Sequence, residues 1–276
     1  MIRAAVLGAD VSKSRSPAIH NAAFKALGIE GEYVARSVDA AGFSGLVRQL
    51  RADGCRYLNV TIPHKEAAAL LAAAQGPEVL AAGAANTLLF ATPTAAIRAE
   101  NTDGAGLIAA LADLGVTVAG KTIVMVGAGG AAAGAAEALV RADATVLILA
   151  RRVEAAIALG MRLTPPKRVQ FDAAVWTADS LRLALAKAEV LVSAVPAAAW
   201  APDDLRAGLD VLTPATTVLE MAYGSVTPLA EAARAHTDRY ADGLGMLVHQ
   251  AAHAISLALG KKPPLPPLFE AARALT

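Results

Sequence analysis

Short runs of β-branched and apolar residues alternate with longer stretches in which apolar positions recur at helical spacing, and this alternation lays out successive βαβ units. Early in the chain the pattern predicts strand Ile2–Leu7, helix Pro17–Leu27, strand Glu32–Ser37, helix Ala41–Ala52, strand Tyr57–Val60 and helix Lys65–Ala73. Asn86–Ala91 and Ala95–Ala99 read as a hairpin turned at Thr92-Pro93-Thr94. Asn101-Thr102-Asp103-Gly104 opens a helix to about Leu114, with Thr102 or Asp103 available as its N-cap. Beyond Gly115–Gly120 come strand Thr122–Val126, a helix through about Val140, strand Thr145–Leu149 and helix Val153–Leu163. A Pro165-Pro166 break, a weaker strand at Arg168–Phe171 and strands Glu189–Val192 and Thr216–Met221 follow. Helix Thr227–Ala235 and a long helix Leu244–Leu259 precede the Pro263–Pro267 breaker and a last helix, Leu268–Leu275. The fold class is therefore α/β.

The strand Thr122–Val126 ends in Gly127-Ala128-Gly129-Gly130-Ala131-Ala132, which follows the GxGxxG/A pattern of dinucleotide-binding turns. Gly127 permits the tight turn, Gly129 lets backbone approach a diphosphate, and Ala132 allows the helix to pack closely on the strand. The first N–H groups of that helix lack internal partners and carry the positive end of its dipole, so an anion is attracted there. Gly127, Ala128, Gly129, Gly130 and Ala131 form the expected cradle. After the next strand an NAD-selective site would place a carboxylate for the ribose 2′-hydroxyl, but the chain has Arg151 and Arg152. A guanidinium on a 2′-phosphate makes charge-assisted bonds worth about 1.5–3 kcal/mol each, so the expected cofactor is NADP.

Composition narrows the classes further. Hydrophobic residues make up 55% of the 276 positions and charged residues 18%, which excludes disorder and suits two domains of ordinary size. A net charge of +1 supplies no broad field for nucleic acid or an anionic membrane. No apolar stretch reaches the roughly 20 residues of a bilayer span, and the apolar run in Met1–Gly8 is too short for a signal-peptide centre. The expected partner is a small-molecule substrate, with no nucleic acid and no membrane, and the chain is expected as a monomer or homodimer. The one cysteine, Cys55, cannot form an internal disulfide and reads as a buried thiol, which fits a cytoplasmic location. His249 and His253 have the spacing of a zinc-protease helix, but Gln250 stands where its glutamate would be, and no metal is expected.

Short segments rich in polar side chains lie at the ends of the predicted strands and helices: Ser14-Arg-Ser16-Pro-Ala-Ile-His-Asn21, Asn59-Val-Thr61-Ile-Pro63-His-Lys65, Gly83-Ala-Ala-Asn86-Thr87, Asn101-Thr-Asp103-Gly104 and Gly243-Leu-Gly-Met-Leu-Val-His-Gln250-Ala251. Individually each has a structural explanation. Ser16 before Pro17 fits an N-cap, strand-end Asn and Thr form turns, Asp103 suits a cap, and Lys65 suits a solvated helix start. Taken together, with the nucleotide fingerprint between the fourth and the last, they resemble the shikimate dehydrogenase family over nearly the whole chain. The resemblance implies an N-terminal α/β substrate domain joined to a Rossmann NADP-binding domain. Its bounds here are 1–102 with 243–276 for the substrate domain and 103–242 for the cofactor domain, with a cleft where substrate and nicotinamide meet.

The implied reaction is the reversible NADPH-dependent reduction of 3-dehydroshikimate to shikimate in aromatic amino acid biosynthesis. By the same resemblance Ser14 and Ser16 hold the substrate carboxylate, while Asn59, Thr61, Asn86 and Gln250 read ring hydroxyls, with Tyr223 facing the substrate. Gly243 joins the cofactor set, and Lys65 and Asp103 are the catalytic pair. Hydride arriving at a carbonyl carbon builds negative charge on oxygen, which an ammonium can stabilise and protonate while a carboxylate holds it. Departures from the family pattern lie mostly in the cofactor domain. Ala150 stands for asparagine, Arg152 for threonine or serine, Ser193-Ala-Val-Pro196 for an Asn-Ala-Thr sequence, and Glu220-Met-Ala-Tyr223 for Asp-Met-x-Tyr. The alternatives are a quinate/shikimate or amino-shikimate dehydrogenase, or a catalytically silent NADP(H)-sensing protein, which the presence of both Lys65 and Asp103 disfavours.

Overall fold

A computed structural model describes residues 1–163 and 171–274. The Pro165-Pro166 break, most of the strand expected at Arg168–Phe171 and Leu275 of the last helix lie outside the described residues. The chain divides into two compact units, Met1–Gly106 with Leu247–Thr276, and Leu107–Met246.

The first unit contains β1 (Ile2–Gly8), α1 (Ser16–Ala26), β2 (Gly31–Ser37), α2 (Phe43–Ala52), β3 (Tyr57–Val60), α3 (Lys65–Leu71), β4 (Ala74–Gln75), α4 (Pro77–Ala82), β5 (Thr87–Leu89), β6 (Arg98–Glu100) and the start of α5 (Asp103–Asp113). Its six-stranded sheet runs β2-β1-β3-β5-β6-β4. β1 pairs parallel with β2 and β3, whereas β5 is antiparallel to β3 and β6. Leu7, Leu58, Val60 and Leu88 of the central strands pack with Phe43 and Val47 of α2, which explains their near-continuous apolar runs.

The second unit contains the rest of α5, then β7 (Thr122–Val126), α6 (Gly130–Arg141), β8 (Thr145–Ala150), α7 (Val153–Arg162), β9 (Phe171–Val175), α8 (Ala178–Leu185), β10 (Val190–Ser193), α9 (Asp203–Arg206), β11 (Thr217–Glu220), α10 (Pro228–Arg234) and β12 (Tyr240–Ala241). Its six strands lie in the order β12-β11-β10-β7-β8-β9, all parallel. The chain steps outward from β7 to β9, returns to β10 beside β7, and steps outward again. That is the doubly wound order, with its switch point between β7 and β10, where dinucleotides bind outside the carboxyl ends of the strands. α11 (Leu244–Leu259) leads back to the first unit, where α12 (Leu265–Arg273) packs on α1 and Arg15 Nη1 donates to the Ala272 carbonyl at 2.8 Å.

The predicted hairpin is shorter than its pattern. Arg56 Nη1 donates to the Phe90 and Ala91 carbonyls at 3.0 and 2.9 Å, drawing the chain away from the ladder after Leu89. α3 stops at Leu71 because Ala73 and Ala74 both donate to the Ile97 carbonyl, which starts β4. α4 and α8, unforeseen from sequence, begin at Pro77 and at a capping box of Thr177 with Ser180.

Candidate active site

β3 delivers the chain to a turn that starts α3. His64 Nε2 donates to the Val38 carbonyl at 2.8 Å and its ring stacks on Phe43 at 4.6 Å, so the residue before Lys65 is fixed. Lys65 opens α3, and Asp103 opens α5. Lys65 Nζ lies 2.5 Å from Asp103 Oδ2, with the two side chains only 10% and 8% exposed. At that burial a lone ammonium or carboxylate would be costly, and each offsets the charge of the other.

Asn86 organises the surroundings of the pair. Its Nδ2 donates to Asp103 Oδ1 at 2.8 Å and Thr102 Oγ1 at 2.9 Å, with Gln250 Oε1 a third acceptor sharing these hydrogens at 3.2 Å. Its Oδ1 accepts from Thr102 N at 2.9 Å and Thr87 Oγ1 at 3.0 Å. Gln250 is anchored by Nε2 donating to the Leu247 carbonyl at 3.0 Å. Lys65, Asp103, Asn86 and Gln250 are thus brought together, and Asp103 turns its carboxylate to Lys65 and Asn86. Thr102, read from sequence only as a possible cap, is part of the same cluster. Nothing in its local sequence marks that role, because its partner Gln250 is 148 positions away.

Ser16 is the first helical residue of α1, which has no side-chain cap hydrogen bond, so its hydroxyl is not spent on capping. Ser14 Oγ accepts from Ser16 N at 3.3 Å. Neither the Ser16 nor the Thr61 hydroxyl has a protein partner among the described residues. Asn59 differs: its Oδ1 accepts from Tyr33 Oη at 2.8 Å and its Nδ2 donates to the Asn86 carbonyl and to Thr87 Oγ1 at 3.3 and 3.0 Å. Its amide hydrogens are committed inside the protein. Tyr223 follows β11 in the second unit and is partly buried. Glu220, at the end of β11, is fully buried and accepts from Thr227 Oγ1 at 2.5 Å and Tyr240 Oη at 2.8 Å, closing the ends of the segment that carries Tyr223.

At the switch point of the second unit, Gly127 has φ +114°, and a Cβ there would stand 3.0 Å from the Ala194 carbonyl oxygen, so glycine is required twice over. Gly129, the N-cap of α6, is different. Its φ of −84° suits any residue, and a Cβ would meet nothing within 4 Å. The protein itself does not demand glycine there, whereas a diphosphate lying against the backbone would. Ala128 precedes this cap, and Gly130 and Ala131 form the first turn of α6. Arg151 and Arg152 are exposed directly after β8, without side-chain partners among the described residues. The donor set of open backbone and unopposed guanidinium groups fits a dinucleotide with an additional phosphate on its ribose. A Cβ on Gly243 would stand 2.1 Å from the Met221 carbonyl oxygen, so this glycine serves close backbone packing beside β11.

Among the described residues no group of three or more His, Cys, Asp or Glu is placed to hold a metal ion, and His249 packs edge-on against Phe269. No described helix is long and apolar enough to cross a membrane. Cys55 is buried, and burial raises its thiol pKa.

Residues 6–88 match the family model described as the shikimate dehydrogenase substrate binding domain. The chain is 35% identical over 275 residues to a shikimate dehydrogenase (NADP(+)) of Acidovorax sp. (strain JS42), covering 98% of this chain and 95% of that one. It is 36% identical to a shikimate dehydrogenase (NADP(+)) of Methylobacillus flagellatus, over 99% of this chain and all of the relative. A solved shikimate 5-dehydrogenase from Thermus thermophilus, in complex with NADP(H) and shikimate, superposes with a TM-score of 0.85 at 30% identity, covering 100% of both chains.

Proposed function

The chain belongs to the shikimate dehydrogenase family, and from that premise we propose that it carries out the reversible NADPH-dependent reduction of 3-dehydroshikimate to shikimate with Lys65 and Asp103 as its catalytic pair. The observation that carries the assignment of the pair is the buried 2.5 Å contact between Lys65 Nζ and Asp103 Oδ2, in a cluster otherwise made of neutral hydrogen-bonding groups.

As the substrate carbonyl is reduced, charge grows on its oxygen, and the Lys65 ammonium donates to that oxygen and supplies its proton. Asp103 keeps the ammonium aimed and accepts a hydrogen bond from the substrate hydroxyl, whose proton returns to the Lys65 nitrogen in the oxidative direction. Because the two act as a unit, their contributions are not separable by single substitutions. Ser14, Ser16 and Thr61 offer hydroxyls to an anionic, hydroxylated ring, and Asn86 and Gln250 border the reacting position. Uncharged groups of this kind read a polyol by geometry without fixing it through charge.

The nicotinamide cofactor supplies the hydride when bound. Backbone from Gly127 to Ala131 would hold its diphosphate, Arg151 and Arg152 its 2′-phosphate, and Gly243 lies in the same unit. The first unit is thereby assigned to substrate and the second to cofactor. A cytoplasmic location belongs to the same proposal, supported by the lone buried Cys55.

Reduction of NADP⁺ with shikimate, compared with quinate and with NAD⁺, tests the proposal. Turnover should favour shikimate with NADP⁺, and a preference for quinate would move the chain to the quinate/shikimate alternative. NADPH binding without turnover of either substrate would instead support a silent sensor.

A further inference from the structure

Beside the catalytic pair runs a series of buried hydrogen bonds whose direction follows from its fixed members. The Thr102 backbone N–H can only donate, so the Asn86 atom 2.9 Å from it is oxygen, and the Asn86 nitrogen faces Asp103. The Asn86 main-chain carbonyl can only accept, so the Asn59 atom 3.3 Å from it is nitrogen, and Asn59 Oδ1 faces Tyr33 Oη at 2.8 Å. Burial, with the neighbouring Tyr57 adding to it, holds the Tyr33 phenol well above its ordinary pKa, so it keeps its proton and donates. Thr87 Oγ1 accepts from Asn59 at 3.0 Å and sends its own hydrogen to Asn86 Oδ1 at 3.0 Å. The donor sense therefore runs from Tyr33 through Asn59 and Thr87 to Asn86, and ends on Asp103 Oδ1.

We infer that Tyr33 is a positioning residue for the Lys65–Asp103 pair, acting through Asn59, Thr87 and Asn86. The inference rests on the catalytic reading above and extends it. An Asn86 amide turned over would set its oxygen against the Asp103 carboxylate and push that carboxylate off Lys65. The Thr87 hydroxyl is one of the donors that prevents this, and it points at Asn86 because its accepting side is filled by Asn59. Asn59 is held with its nitrogen toward Thr87 by two constraints, the Asn86 main-chain carbonyl that accepts from it and the Tyr33 hydroxyl that satisfies its oxygen. Removal of the Tyr33 hydroxyl leaves the buried Asn59 oxygen unsatisfied and one of these constraints gone, which loosens the orientation passed on through Thr87 to Asn86.

Tyr33→Phe is the test, because the ring that stacks on His20 at 3.9 Å stays in place. Tyr57→Phe is the matched control. Tyr57 is equally buried in the same aromatic cluster, yet its hydroxyl meets His20 Nδ1 at 2.6 Å and lies outside the Asn59 relay. The wild-type chain is assayed first with shikimate and NADP⁺, and its inactivity would overturn the catalytic reading itself. Given wild-type turnover, Tyr33→Phe should lower kcat about tenfold while KM for shikimate stays within about twofold, the behaviour of a coupled network that aims reacting groups. Thr87→Val should do the same and carries the test if Tyr33→Phe does not fold. The double variant should be no slower than the slower single, because one relay is broken only once, and Tyr57→Phe should stay within about twofold of wild type. Unchanged kcat in Tyr33→Phe and Thr87→Val would overturn the inference. So would losses that multiply in the double variant, or an equal loss in Tyr57→Phe.

Discussion

Lys65→Ala should act on stability and on rate by separate amounts. The substitution removes the partner that Asp103 Oδ2 has among the described residues and leaves a carboxylate whose side chain is 8% exposed. Breaking a buried ion pair from one side costs about 3–5 kcal/mol, and the retained Asn86 donor at 2.8 Å argues for the lower end, about 3 kcal/mol. For domains of this size about 2–4 °C of Tm accompanies each kcal/mol, so the midpoint should fall by about 6–12 °C. The rate effect is that of losing a positioned proton donor, about 10²- to 10⁴-fold in kcat. NADPH affinity should survive, because the proposed cofactor groups lie in the other unit. The double variant Lys65→Ala/Asp103→Ala separates the two effects: it should regain part of the lost stability, since no uncompensated charge remains, yet be about as slow as the slower single. Thermal melts and steady-state rates of shikimate oxidation measure both. A kcat for Lys65→Ala within about threefold of wild type, or losses that multiply in the double variant, would refute a coupled catalytic pair.

Gly129→Ala and Gly127→Ala should part company. The first leaves Tm unchanged but weakens NADPH binding, whereas the second also costs about 1–3 kcal/mol of stability because of its φ of +114° and the Ala194 carbonyl; equal NADPH affinity of Gly129→Ala and wild type in a fluorescence titration would count against the cradle. Arg151→Ala and Arg152→Ala should each weaken NADP⁺ binding by about 10- to 150-fold with little change for NAD⁺, and parallel losses for both nucleotides would remove the 2′-phosphate assignment. His20, whose pKa burial lowers to about 3, should make stability fall as pH drops from about 6.5 toward about 3, because in that window the unfolded chain takes up a proton that the folded chain refuses. Urea unfolding should show up to about 1.4 kcal/mol per pH unit from this group, absent in His20→Gln, and identical pH slopes for the two proteins would contradict the assignment.

The two halves of the proposed site differ in how far the sequence discloses them. The nucleotide half is local: a buried strand, a glycine turn, a helix start and a pair of arginines follow one another within β7 to β8, and each states its chemistry through backbone conformation or charge. The predicted strand Thr122–Val126 matches β7, where burial on both faces leaves little choice of period. The substrate half is assembled over long separations, 38 positions from Lys65 to Asp103 and 164 from Asn86 to Gln250, and no spacing rule connects them. There the roles come from the resemblance to a family, and local sequence alone favours reading the same residues as caps and turn formers. What separates these readings is the number of hydrogen-bonding positions that the protein itself occupies. Asn59 and Ser16 look alike in sequence, each a polar residue at the edge of an element. Asn59 gives both amide hydrogens to Asn86 and Thr87 and its oxygen to Tyr33, whereas the Ser16 hydroxyl has no protein partner among the described residues and lies in a helix turn it does not cap. A side chain whose donors are already spent can orient its neighbours but has little left for a ligand, while one with an open hydroxyl can contact substrate directly. By that criterion the Ser16 hydroxyl is open for the proposed substrate contact, whereas Asn59, like Asn86, would have to exchange a protein partner for a substrate hydroxyl to make one.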